Sequence, residues 1–274
     1  MREPEPIIVI DLFPEVLDGL LEVLTSLAPS EWDAPTVCRG WTVKDIALHL
    51  LGGDISLLSR KRDEHRFSGS AIKRWDELVD LINELNDTWV KATRRLSPRL
   101  VTDLLAFTGP QVNDYFASLD PYAMGDPVDW AGAGPAPVWL DLAREYTEKW
   151  HHQQQIRDAV GRPGLKEKRY FAPLLDTFVR ALPRTYSATR APAGTTVALT
   201  ITGDAGGTWF LVSEGEGWKL YLDPSGEPQS EVVIDQDAAW RLFTKGISGD
   251  EANATVTGDA ALGRTILDTV SVIA

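Results

Sequence analysis

A single cysteine, Cys38, excludes any disulfide within the chain and points to a reducing cytoplasm. Positive charge is also scarce: 27 Lys and Arg face 40 Asp and Glu, for a net charge of −13. Phosphate binding needs a basic footprint, so nucleic acid is excluded as a partner. The basic runs Arg60-Lys61-Arg62 and Lys166-Glu167-Lys168-Arg169 are short and lie among acids, as solvated helix ends do. Long apolar stretches are missing too. Ile7-Ile8-Val9-Ile10 falls far below the roughly 20 residues of a spanning helix, so no membrane partner is expected. The opening Met1-Arg2-Glu3-Pro4-Glu5-Pro6 is acidic and proline-bearing, unlike a signal peptide. There is no internal repeat and no low-complexity tract.

What is present is an ordinary globular composition, 43% hydrophobic, with a high count of ten tryptophans that should line the core or a pocket. A chain of 274 residues suits two domains. Up to about Val160 the apolar period is helical. Helices are expected over Phe13 to Leu27, from a Thr42 cap to about Leu58, over Ala71 to Leu96, over Arg99 to Leu119, and over Val138 to Val160. Gly109-Pro110 should break or kink the fourth, and Asp120 to Pro137 reads as a long Gly/Pro loop. After a linking helix near Tyr170 to Ala181 the period changes. Thr195–Thr202, Gly207–Ser213, Gly217–Leu222 and Glu231–Asp235 read as strands between turns. Ala238–Thr244 and Ala260–Val270 read as helices flanking a strand at Ala254–Val256. The expected organisation is a helical domain, 1–164, and an α+β domain, 165–274.

Ligand chemistry gathers on two helices. Glu148 and His152 stand four residues apart and so share one helix face, where a carboxylate and an imidazole can meet one cation. Arg144, Glu148, His152 and Gln155 form the polar stripe of that helix. Such a stripe is commonly a solvated face, and that reading stands beside the ligand one. His49 shares its helix face with Ile46, Leu50 and Leu57, as a satisfied core histidine would. The adjacent Gly52-Gly53 favours a site instead, because two missing side chains open space beside an inward imidazole. His151, about 100° round the helix from His152, is not expected to be a ligand. Cys38 has no adjacent base and reads as structural. Arg60, Arg62 and Asp63 read as surface pairs.

The run Glu31-Trp32-Asp33-Ala34-Pro35-Thr36-Val37-Cys38-Arg39-Gly40-Trp41-Thr42-Val43-Lys44-Asp45, ending in His49-Leu50, resembles the first signature of the mycothiol-dependent maleylpyruvate isomerase family. Glu148-x-Trp150-x-His152-x-x-x-Ile156-Arg157-x-Ala159-x-Gly161-Arg162-Pro163 resembles its second. Thr257-Gly258-Asp259-Ala260-Ala261-Leu262-Gly263 resembles the end of the family's C-terminal domain. The resemblance implies a DinB-like four-helix bundle followed by a small α+β, sterol-carrier-like domain. It also implies that His49, Glu148 and His152 are the metal ligands. One residue departs from the pattern: Gln155 stands where the family commonly has Asp, and Gln155 and Arg144 are the candidates for contacting a cofactor. The family isomerase also uses an arginine from its C-terminal domain, for which Arg241 and Arg264 are the candidates here.

Two histidines and a carboxylate suit zinc, and equally Fe(II) or Ni(II). Zinc with an open position could hold a small thiol such as mycothiol as its thiolate. The expected activity is thus isomerisation or S-transfer on a small electrophilic substrate, with the thiol as cosubstrate. The loop Asp120–Pro137 and the second domain are expected to roof the metal and supply a cationic side chain. Two other readings remain: a non-catalytic metal- or ligand-binding regulatory module on the same fold, and, by fold analogy, an apolar-ligand carrier in the C-terminal domain.

Overall fold

The computed structural model describes residues 1–65, 75–128, 130–131, 134–224 and 226–271. A helical N-terminal part is followed by a sheet-containing C-terminal part. The chain divides into two compact units. One holds Val9–Asp120 and Glu145–Leu165; the other holds Met1–Ile8, Pro121–Arg144 and the chain from Lys166 onward.

The helical unit begins with α1 (Phe13–Thr25), which buries Phe13, Val16, Leu20, Val23 and Leu24 at helical spacing. Helix α2 (Val43–Leu57) opens on a reciprocal cap: Asp45 N donates to Thr42 Oγ1, and Thr42 N donates to Asp45 Oδ2 at 3.0 Å. Helices α3 (Trp75–Thr93) and α4 (Pro98–Ala117) pack on α2, and α4 also packs on α1. The expected start of α3 at 71–74 lies outside the described residues. Gly109-Pro110 does not break α4, which runs unbroken to Ala117. Proline removes one backbone donor, but Gly109 lies so close to Leu17 of α1 that a Cβ would sit 2.6 Å from its methyls, and this packing holds the helix in place. Helix α5 (Val138–Val160), which belongs to this unit from Glu145 onward, ends as its sequence demands. Gly161 takes φ +64°, Arg162 N donates to Arg157 O at 2.9 Å, and Gly161 N donates to Asp158 O. Trp32, Val43, Ile46, Leu48, Leu51, Val101, Leu105 and Ile156 form the core of this unit.

Asp45 also holds α3 to α2. It is buried and accepts from Arg94 Nε at 2.8 Å and from its NH2 group at 3.0 Å. Burial alone would raise the Asp45 carboxyl, but the Arg94 and Thr42 bonds hold it below the ordinary carboxylate range. The stabilisation is therefore fully present above the unfolded value of 3.8, and is lost as pH falls through the lower folded value. Asp45→Asn should cost about 2 kcal/mol at neutral pH, less than for a fully buried pair because Arg94 is half exposed. In urea titrations the gap between wild type and variant should narrow as pH falls below the ordinary carboxylate value. A gap that did not change with pH would remove the charge from this explanation.

In the second unit the stretch expected as a loop instead holds a short antiparallel pair, β1 (Met124–Pro127) and β2 (Pro135–Pro137). Proline is tolerated there because neither strand has a second neighbour. Val128, Trp130, Ala136 and Ala181 bury one another beside the pair. Helices α6 (Lys168–Val179) and α7 (Leu182–Thr185) precede a five-stranded sheet. Its strands are β3 (Thr196–Thr202), β4 (Gly207–Ser213), β5 (Trp218–Tyr221), β6 (Ser230–Asp235) and β7 (Thr255–Gly258), in the order β5-β4-β3-β6-β7. Only β3 and β6 are parallel, with Leu199 opposite Val232. Helix α8 (Gln236–Phe243), capped by Asp235, and helix α9 (Ala260–Arg264), capped by Asp259, complete the unit. The N-terminal segment belongs here: Leu222 N donates to Arg2 O, and Arg180 donates to Glu5 O. Trp130, Trp209, Trp218 and Trp240 are buried in this unit, and Trp32 and Trp150 in the helical one.

Candidate metal centre

Helices α2 and α5 bring together three side chains that are 99 or more residues apart or one turn apart in sequence. His49, Glu148 and His152 each offer one ligand atom, and these atoms lie within 4.8 Å of one another. His152 Nε2 is 3.3 Å from Glu148 Oε2. A tetrahedral ion with bonds of about 2.0–2.1 Å needs its ligand atoms about 3.4 Å apart, so this pair already has the required separation. The His49 and His152 rings lie 4.5 Å apart, centre to centre, and Trp41 lies 5.3 Å from His49.

His49 Nδ1 is shut off from solvent and has no hydrogen-bond partner. An orphaned buried polar atom costs about 1–3 kcal/mol, so a satisfied core histidine does not describe this residue. Burial pushes its pKa down to about 3; His152 and Lys149 add to the shift, and Glu148 opposes it. At neutral pH His49 is therefore unprotonated, the form that binds metals.

Gln155 lies behind His152 and is buried. Its Oε1 lies 2.8 Å from His152 Nδ1. A carbonyl oxygen only accepts, so Nδ1 carries the proton, which leaves Nε2 as the ring atom that faces the Glu148 carboxylate. At 3.3 Å a divalent ion would satisfy both atoms, as would a proton on Nε2. The donor set, the spacing and the orphaned nitrogen all fit a divalent ion held by His49, Glu148 and His152.

The surrounding residues lock α2 and α5 together. Lys149 Nζ donates to Asp54 Oδ1 at 2.5 Å, and Thr108 Oγ1 of α4 donates to Asp54 Oδ2 at 2.8 Å. Sequence reasoning missed this buried clamp, although each charge stands within five residues of the cluster. The two signature segments also meet directly: Cys38 Sγ donates to Gln155 Oε1 at 3.3 Å, and Arg162 pairs with Glu31 at 2.7 Å. Burial pushes the Cys38 thiol up, against the Gln155 and Thr36 bonds, which suits a structural role. His151 is buried and bonded to Gln155.

Gly52 does not open space for a ligand. A Cβ there would sit 2.6 Å from the Trp89 indole, whose Nε1 donates to Leu48 O at 2.7 Å; Gly52 exists to admit Trp89. Gly53 does face open space. The remaining candidates belong to the other unit. Arg144 is paired with Asp141 at 2.8 Å, Arg241 lies 4.4 Å over the Trp240 ring, and Arg264 is exposed at the end of α9.

Residues 13–157 match the family described as the mycothiol maleylpyruvate isomerase N-terminal domain. The chain belongs to that family. The match covers α2 and α5 as far as Arg157 and so contains the whole three-residue cluster. The crystal structure of a mycothiol-dependent maleylpyruvate isomerase is similar with a TM-score of 0.51, and that of a histidine-to-alanine variant with 0.54. Each comparison covers 90% of this chain and 91% of the other at 11% identity. The likeness is one of fold, with a helical N-terminal part and a sheet-containing C-terminal part in both. No curated protein matches the chain. Among the described residues no helix is long and apolar enough to cross a membrane.

Proposed function

We propose that the protein is a divalent-metal enzyme, zinc being the leading metal, that uses a small thiol such as mycothiol to isomerise or S-transfer to a small electrophilic substrate. The observation that supports this best is the His49, Glu148 and His152 cluster inside a match to the isomerase family. Three protein ligands leave one position of a tetrahedral ion open, as in catalytic sites. Zinc, when bound there, lowers the pKa of an incoming thiol and stabilises its thiolate. Fe(II) or Ni(II) would suit the same donors.

The protein's residues set the charge of such a site. Two neutral imidazoles and one carboxylate leave a divalent ion with a net charge of +1, which favours an anionic thiolate over a neutral thiol. The shift that keeps His49 unprotonated makes it a ligand at working pH. The fold is read as a DinB-like four-helix bundle with a sterol-carrier-like second domain, and Arg241 and Arg264 are the arginines to vary first.

Zinc-loaded protein incubated with mycothiol and maleylpyruvate, followed by product chromatography, tests the reading. Thiol-dependent turnover that disappears in His49→Ala is expected. Gln155 in place of the family's Asp supports a second reading, a binding module without turnover. Tight zinc binding with no reaction across a panel of electrophiles would favour it.

A further inference from the structure

The polar neighbours of Gln155 match its two functional groups. A carboxamide has one acceptor oxygen and one donor nitrogen, and here each has a partner that needs it. Oε1 receives the His152 Nδ1 proton at 2.8 Å and the Cys38 thiol proton at 3.3 Å. Nε2 donates to His151 Nε2 at 2.8 Å. Turning the amide over would set its NH2 group against the thiol donor and would require the opposite tautomer of both His151 and His152, so the Cys38 contact selects the orientation. The side chain is 6% exposed, so water does not replace these partners.

We propose that Gln155 is a positioning residue, not a cofactor contact: it fixes the tautomer and ring orientation of His152, and Cys38 and His151 fix Gln155 in turn. The inference rests on the metal reading above and adds what selects the nitrogen that His152 presents. With Nδ1 protonated and tied back, only Nε2 can face Glu148 and an ion. Because the anchor is a neutral amide, His152 is a weaker donor than an imidazole backed by a carboxylate. More of the ion's charge is then left to act on the thiol. Outer partners of ligating histidines commonly govern metal affinity by about 10–100-fold.

Gln155→Met keeps the volume but offers no comparable acceptor, whereas Gln155→Glu restores an acceptor at the same reach. Zinc affinity at fixed pH, measured against a chromophoric chelator, should fall about 10–100-fold in Gln155→Met and return to the wild-type value or tighter in Gln155→Glu. Imidazole nitrogen NMR of the metal-free protein should show His152 as the Nδ1–H tautomer in wild type, and as a mixture in Gln155→Met. Unchanged affinity and tautomer in Gln155→Met would overturn the inference. Equal loss of zinc in both variants would also overturn it, since that is the result of lost packing alone. A wild type with no zinc affinity would instead defeat the metal reading, while the tautomer measurement would still decide whether Gln155 orients His152.

Discussion

Zinc bound at one ion per chain is expected to be lost from both His49→Ala and His152→Ala. Structural zinc sites bind with apparent energies of about 10–16 kcal/mol over four ligands, so one ligand is worth roughly 3 kcal/mol, or at least about 100-fold in affinity. After dialysis at micromolar free zinc, mass spectrometry of the metal should find wild type loaded and both variants empty. A further signature separates a ligand from a core histidine. His49→Leu should leave the metal-free protein as stable as wild type, or about 1 kcal/mol more stable, because it removes a buried nitrogen without a partner. A histidine satisfied within the core would give the opposite sign. A variant that lost both zinc and several kcal/mol of metal-free stability would contradict the assignment of His49.

The second large effect concerns the clamp beneath the site. In Lys149→Met the Asp54 carboxylate, 1% exposed, keeps the Thr108 hydroxyl but loses its cation. Leaving a buried charge uncompensated costs about 3–5 kcal/mol. Urea titration should show a loss of that size. Asp54→Leu combined with Lys149→Met should recover most of it, because Thr108 also donates to Leu104 O and loses little. Zinc affinity should fall in the single variant, since the pair ties the His49 helix to the helix of Glu148 and His152. A loss of less than 1 kcal/mol would make the pair a solvated contact.

Local signals carried much of this structure. Thr42 with Asp45 opens α2, Gly161 followed by Pro163 ends α5, and the β-branched run at Thr196–Thr202 forms β3. Helix period placed Glu148 and His152 on one face but left a solvated face and a core histidine as alternatives; the grouping with His49 came from the resemblance, and the structure brings the three together. What escaped the sequence depends on distant partners. Gly52 looked like room for a ligand until Trp89, 37 residues on, filled it. Lys149 and Asp54, 95 positions apart, are ordinary charges until α2 and α5 meet. Pro127 and Pro135 argue for loop, and only the pairing of their segments makes strands of them. Nothing near Arg2 indicates that its carbonyl serves Leu222. The bonds of Gln155 to Cys38, His151 and His152 were not legible either, because periodicity reports a face, not which side chain lies behind another.

We propose that His49, Glu148 and His152 hold one divalent ion with room for one more ligand. X-ray absorption at the zinc edge of loaded protein tests it most directly. The account predicts one zinc per chain with four light-atom neighbours at about 2.0–2.1 Å, and multiple scattering from two imidazoles. Six neighbours, a single imidazole, or a spectrum unchanged in His152→Ala would contradict it.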